Sequence, residues 1–510
     1  MVNCRVLTVA GADGDAEEEA MLVRGELVEA VGSEKTILAR VRSEDRVLDL
    51  GGAFVCPGLE DAHTHLSSVG LLERGVNLRG VRSAEEAVAR IRTRAAGTPN
   101  GEWIFARGWD ESKWDVQEYL TARDLDRASV KHLILATRVD GHLCTVNSRL
   151  LKSLKLPARD PRVGREKGRP NGVLKEEMTS LARDRWKPTD EELLQALDSA
   201  QTRMLSLGVT SVHDNVSQSM RQTGAYSQLR ANDRLRLRVY LVPVYEYAMA
   251  LAEQGLRTEF GDPWLRIGGV KIFSDGSLGA HTAALSEPYS DDPKNKGLLL
   301  FRPKKLHSMI QRLARSGFQG CPHAIGDVAI KELLKGYRDA PRLADRPHRI
   351  EHAEMLDSDA LETAKELGVA LSMQPNFVGE WGHAGGMYET RLGERVKWMN
   401  PFRRIADAGV GMAFGSDSMP PSALYGIRSA VEAPHPAQRI SGGEALRYYT
   451  LEPAGLSGES HLKGSLEAGK FADFVVVECD PRTPPVDGDS RIRATWVAGK
   501  TAWERSALAA

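Results

Sequence analysis

Eight short apolar runs recur along the chain, and helical patterns separate several of them. The runs are Gly52–Pro57, His132–Arg138, Thr210–His213, Gly268–Phe273, Gly317–Pro322, Arg349–His352, Val369–Met373 and Gly411–Gly415. Between them, Asp190–Ser206, Lys304–Ser316 and Ser358–Leu367 carry apolar residues at helical spacing. Parallel strands need a crossover of roughly a dozen residues or more, usually a helix. Alternation of this kind therefore predicts an α/β fold, and eight units predict a (β/α)8 TIM barrel.

The two ends read differently. Cys4–Ala10, Ala20–Val23, Leu27–Val31 and Arg46–Asp49 are strand-like, as are Phe474–Glu478, Ala494–Val497 and Thr501–Trp503. Chain termini often lie close together. Residues 1–56 and 455–510 are therefore expected to pair into one small, sandwich-like β domain, leaving 57–454 for the barrel. Residues 58–209 exceed what two strand–helix units need at about 30 residues each. The excess includes Trp103, Trp109 and Trp114, then the Pro-, Gly- and charge-rich Lys155–Pro170. It reads as a subdomain inserted after the first barrel strand, over residues 75–205.

Bulk properties exclude several classes. With 68 basic and 69 acidic residues the formal net charge is −1, so nothing favours nucleic acid or an anionic membrane as partner. The five cysteines are dispersed without CxxC spacing, which argues against a disulfide framework or zinc knuckle. No basic-then-apolar leader opens the chain, and no apolar run reaches membrane-span length. The expectation is a soluble cytoplasmic protein acting on a small molecule.

The chemistry begins with His63 and His65, in Gly58-Leu-Glu-Asp-Ala-His-Thr-His65. Residues two apart on a strand share a face, so two imidazoles there can hold one cation. Alone, such a pair is ordinary. Its position where a first barrel strand would end, on the face where barrel enzymes do chemistry, gives it weight. His323 and His352 each close another predicted strand, and Asp417 ends Gly409-Val-Gly-Met-Ala-Phe-Gly-Ser-Asp417. Four histidines at three strand ends are hard to explain as packing. A carboxylate inside a barrel needs a cation or donors to offset its desolvation. Lys271 lies in the fourth run; on spacing alone it reads as a salt-bridged lysine. Burial among positive neighbours lowers a lysine pKa, and the neutral amine can then add carbon dioxide to form an anionic carbamate.

The ordered set resembles the amidohydrolase superfamily of metal-dependent (β/α)8 hydrolases. The pieces are Pro57-Gly58, Asp61-Ala-His-Thr-His65, Lys271, His323, His352, Asp417 and the returning segment Lys463–Val477. Val270–Gly279, His323–Asp327, Arg349–His352 and Asp140-Gly-His142 with Val146-Asn-Ser148 are similar to the amidohydrolase-3 branch, which includes N-substituted formamide deformylases. The resemblance implies that His63 and His65 hold one metal with Asp417. His323 and His352 would hold a second, and carbamylated Lys271 would bridge both. It also leaves a homodimer open. Two features depart from the pattern: Glu60 replaces the usual aliphatic residue before Asp61, and Gly379–Lys397 is hard to align. An unmodified Lys271 would leave a single-metal site.

The reaction implied is hydrolysis of a non-peptide, amide-type C–N bond. A zinc-type centre, with Mn and Fe as further options, lowers the pKa of bound water. Asp417 serves as general base and then acid. Trp109, His142, Glu176 and Asp275 are candidates for substrate contact. Alternatives are a mononuclear deaminase, an ester or lactone hydrolase, and a non-catalytic scaffold. The deaminase reading expects a Glu where Gly326 stands. The scaffold reading expects lost ligands, yet every position is filled.

Overall fold

A computed structural model describes residues 1–11, 16–183, 185–186, 189–216 and 220–505. Two four-stranded parallel sheets form its centre. The first runs β1 (Leu59–Thr64), β2 (Val209–Val216), β3 (Arg238–Pro243) and β4 (Leu265–Ile267), with β1 beside β2 and the rest following in chain order. The second runs β5 (His323–Ala324), β6 (Arg349–His352), β7 (Ala370–Met373) and β8 (Met412–Phe414). The fold is α/β.

Gly268–Phe273 links the two arcs. Lys271 bridges Val244 on one side, while Val270 and Phe273 bridge Gly320 and His323 on the other. Across the remaining seam, the Asp417 amide donates to the His63 carbonyl at 2.7 Å. Asp61 clamps the same seam by accepting from the Ser416 amide (2.8 Å) and the Ser416 hydroxyl (2.5 Å).

Two predicted barrel runs belong elsewhere. Gly52–Pro57 lies in the strand Asp49–Pro57 of a sheet built from both chain ends, and the first arc strand starts only after Pro57-Gly58. His132–Arg138 falls in a separate six-stranded sheet between Val76 and Lys175. An apolar run announces a buried strand without saying in which sheet. Their places are taken by Leu59–Thr64 and Arg238–Pro243. The latter is buried throughout but hidden in sequence by the charged stretch Arg230–Arg238.

The helices follow from spacing and caps. Pro303–Arg315 has Pro at its first turn and buries Leu306, Met309, Ile310, Leu313 and Ala314, one continuous face. Ser358–Leu367 is capped by the Asp357 side chain and stopped at Gly368, whose φ of 64° is left-handed. Asp190–Ser206 opens with a capping box between Thr189 and Glu192. Its Leu197 and Met204 join Ile310, Leu371 and Phe414 in the arc core. That helix therefore sits with the arcs rather than with the insertion, where residue order had placed it. The intervening sheet has its own core around Leu78, Ile91, Ile104 and Trp109.

The end sheet runs Glu17–Glu18, Val2–Leu7, Asp49–Pro57, Phe474–Val477, Ile492–Val497, Lys500–Glu504. It is pinned to the arcs by the buried pair Arg238–Asp473 at 2.5 Å, with the Arg238 guanidinium 3.8 Å from the Phe471 ring centroid. No helix among the described residues is long and apolar enough to cross a membrane.

Candidate metal centre

The strand ends bring the predicted residues together. His63 is the penultimate residue of strand β1 and His65 caps the start of the helix Leu66–Arg74; His323 starts β5, His352 ends β6, and Asp417 follows β8. Ring centroids are 4.7 Å apart for His63–His352, 4.5 Å for His323–His352 and 5.7 Å for His63–His65. Asp417 Oδ1 lies 3.3 Å from His65 Nε2 and 3.8 Å from His63 Nε2. Lys271 Nζ is 3.3 Å from His63 Nε2. Donor atoms of His63, His352 and Asp417 fall within 4.8 Å of one another, so the tightest trio draws on both expected metal groups.

Each imidazole has one nitrogen tied to an oxygen acceptor, and the second nitrogens of His63 and His65 face Lys271 and Asp417 within the centre. His63 Nδ1 donates to Glu351 Oε2 at 2.5 Å, and His65 Nδ1 donates to the Asn215 carbonyl at 3.0 Å. His352 Nδ1 donates to Gln374 Oε1 at 2.7 Å, and His323 Nε2 donates to the Gly276 carbonyl at 3.1 Å. These bonds fix ring and tautomer and leave an unprotonated nitrogen for a metal. Burial, reinforced by Lys271 and neighbouring rings, holds His63 and His352 far below the ordinary imidazole range. Burial and Lys271 push His65 down to about 3. Neutral imidazoles with a nearby carboxylate are the donor set of a divalent transition metal, so the residues fit such an ion. Burial also pushes the Lys271 amine down to about 8 and the Asp417 carboxyl up to about 7.

Beneath the centre runs a chain of buried polar contacts that the sequence reading did not find. Glu351 Oε1 accepts from Arg349 Nε at 2.6 Å, and Arg349 Nη1 donates to His213 Nδ1 at 2.7 Å. His213 Nε2 donates to Glu60 Oε1 at 2.9 Å, and Lys463 Nζ also donates to Glu60, at 2.7 Å. The unusual Glu60 is thereby explained: burial pushes its carboxyl up, but Lys463 and His213 outweigh this and leave it below its ordinary value. The available signal was two charges, Arg349 and Glu351, two apart in an otherwise buried strand.

Backbone strain gathers at the same place. His352, Ala353, Asp417 and Ser418 have φ of 74°, 49°, 48° and 63°, a left-handed region unfavourable for side chains. Close packing adds a second constraint, because a Cβ on Gly415 would lie 2.4 Å from the His63 amide nitrogen. Backbone cannot yield as a side-chain tip can. Gly415→Ala is expected to cost about 1–3 kcal/mol by overpacking and to reduce metal content. Urea unfolding with metal analysis checks this; unchanged values of both would contradict the packing argument.

A cavity of about 420 Å³ opens beside the centre. His65, His142, Glu176, Lys271, His323 and Asp417 face it. His142 pairs with Glu176 Oε2 at 2.9 Å; burial opposes its charge, but Glu176 prevails and raises it to about 9. Two substrate-contact candidates lie elsewhere. Trp109 is wholly buried in the core of the intervening sheet, and its indole donates to the Ala136 carbonyl at 3.1 Å. Asp275 accepts from the amides of Ala284, Ile325 and Gly326, 3.4 Å from His323 Nε2, and so braces that histidine from behind. Neither side chain's direction could be read from its place in a motif.

Imidazoles and a carboxylate at the carboxyl ends of parallel strands define a metal-dependent hydrolase of the α/β class. The chain belongs to the amidohydrolase family, whose model matches residues 46–502. It is 29% identical to the putative amidohydrolase YtcJ of Bacillus subtilis (strain 168), over 97% of each chain. It is 26% identical to the N-substituted formamide deformylase of Arthrobacter pascens, over 99% of this chain and 98% of that one. A crystal structure of an uncharacterized metal-dependent hydrolase from Pyrococcus furiosus is 30% identical with a TM-score of 0.76, covering 94% of this chain and 99% of that one.

Proposed function

We propose that this protein hydrolyses a non-peptide amide-type C–N bond at a divalent metal centre. The observation that carries the reading is the set of four convergent imidazoles, three of them buried, each with one nitrogen tied to an oxygen acceptor, while the second nitrogens of His63 and His65 face Lys271 and Asp417. The similarity to an N-substituted formamide deformylase supports an amide or formamide as substrate. In this reading the two arcs close into a (β/α)8 barrel across the seam between Asp417 and His63, and the end sheet forms its companion domain.

His63, His65, His323, His352 and Asp417 would hold the metal, with zinc the first candidate. A divalent ion bound there supplies Lewis acidity and an activated water. Asp417 takes up the proton of the attacking water and returns it to the leaving nitrogen, as base and then acid. His142, kept protonated by Glu176, donates to the carbonyl oxygen as charge develops on it. Lys271 in its neutral form adds carbon dioxide: an N–C bond forms, a proton leaves, and the anionic carbamate offers two oxygens between the histidine pairs.

Metal analysis of the purified protein, together with assay on formamides and N-acyl amines, tests this. The expected result is at least one transition metal per chain, loss of turnover on chelation, and recovery on adding the metal back with bicarbonate. His63→Ala is expected to lose metal. Wild-type protein without transition metal, or a His63→Ala variant that cleaves amides as well as wild type, would end the proposal.

A further inference from the structure

We propose that the cavity beside the metal centre binds the oxyanion of an acidic substrate, a carboxylate or a phosphate, between Arg79 and Arg107. The inference rests on the hydrolase reading for its chemical setting, but its test does not require turnover.

Both guanidinium groups line the cavity that also contains His65, Lys271 and Asp417. Arg79 reaches the centre directly, since its Nη2 donates to the carbonyl of Ser418, the residue after Asp417. Its Nε is buried without a hydrogen-bond partner. Arg107 Nη1 donates to the Ser68 carbonyl at 3.2 Å. Among the described residues, no carboxylate forms an ion pair with either arginine. The charges nearest Arg107 are cations: burial first, then Arg183 and Arg79, push it down to about 9.

The contrast between these two half-buried arginines and the fully buried ones is informative. Arg138, in the wall of the same cavity, is held by Glu111 at 2.8 Å, Asp140 at 2.9 Å and Asp110 at 3.3 Å. Arg349 has Glu351 at 2.6 Å and Arg238 has Asp473 at 2.5 Å. Elsewhere the fold supplies a bonded counter-ion, whereas Arg79 feels Glu380 and Asp110 only from beyond ion-pair reach, and it and Arg107 line the open cavity. Desolvating an unpaired charge even in part is costly, so this half-buried pair is stabilised by an anion brought from outside. Guanidinium forks suit carboxylate and phosphate oxygens in bidentate geometry. Of the carboxylates lining the cavity, Glu176 is engaged by His142 and Thr282, Glu177 by Arg162 and Asp140 by Arg138. Room for Arg79 depends on Gly108, where a Cβ would lie 2.7 Å from Arg79 Cγ.

The test is calorimetric titration of the metal-replete protein with N-formylphenylalanine, its uncharged carboxamide, benzoate and inorganic phosphate. Wild-type protein is expected to bind the carboxylate at least about tenfold more tightly than the carboxamide, the scale of one charge-assisted hydrogen bond. Arg107→Gln and Arg79→Gln are each expected to collapse that preference, and Arg107→Lys to restore part of it. Phosphate binding tighter than benzoate, lost in the same variants, assigns the site to phosphate. Equal affinity for acid and amide in wild type, or no binding of any anion, overturns the proposal. So does a preference that survives both substitutions, since it places the carboxylate on the metal. Product analysis for amide cleavage reads the hydrolase reading separately.

Discussion

Asp417→Asn is expected to lower kcat/KM on any cleaved amide by about 10²–10⁴, the usual contribution of a positioned acid–base group. The carboxamide keeps the size of the carboxylate and one oxygen toward His65, but it cannot take up a proton. Burial raises the Asp417 carboxyl and Lys271 draws it down again, leaving it at about 7. A group poised there can both accept and release a proton near neutrality. Because Asp417 also faces His63 and His65, metal content must be measured beside the rate. A slow variant that keeps its metal isolates the proton-transfer role. A variant retaining more than about a tenth of wild-type kcat/KM would remove that role from Asp417.

Glu351→Gln carries the largest expected stability effect. Arg349 and Glu351 are both wholly buried, 2.6 Å apart. Removing one charge of such a pair costs about 3–5 kcal/mol, because its partner stays buried and unmatched. The same carboxylate receives His63 Nδ1–H, so its loss is also expected to weaken metal affinity by about 10–100-fold. The neutral ring of His213 on Arg349 Nη1 cannot replace the missing charge. Urea unfolding of metal-free and metal-loaded protein separates the two effects. Adding Arg349→Met to the Glu351→Gln variant is expected to recover part of the stability, because the unmatched charge is then removed as well. A Glu351→Gln variant unfolding at the wild-type midpoint with wild-type metal affinity would show that the pair does neither job.

How much of this was legible depended on the kind of signal. Asp190–Ser206 and Ser358–Leu367 were readable to the residue, since apolar spacing and capping side chains are local. His63, His65, His323, His352 and Asp417 stood out because each was expected at a strand end, where a short polar interruption follows an apolar run; Lys271, in the linking segment Gly268–Phe273, stood out only through the family resemblance. Sheet membership was not, because Leu59–Thr64 is buried throughout yet mostly polar in sequence, and it follows the apolar end of Asp49–Pro57 after a single residue, Gly58. Nor were Glu60, His213, Arg349 and Glu351. A polar residue within a strand is ordinarily assigned to water, and here the strand face turned inward onto other charges. Trp109 and Asp275 failed for a related reason. Proximity in sequence to a candidate motif does not fix which way a side chain points.

The end sheet has a consequence for synthesis on the ribosome. Strand Asp49–Pro57 is covered on one edge early, by Val2–Leu7, but its other edge waits for Phe474–Val477, where Pro57 pairs with Phe474. The partner emerges roughly 420 residues later, a delay of roughly 20–80 s at about 5–20 residues per second. For that interval a nascent chain presents an apolar strand with free amides and carbonyls, a template for pairing with any other chain. Yield from cells should therefore depend on translation rate and on chaperones that shield nascent strands, even where the finished protein is stable.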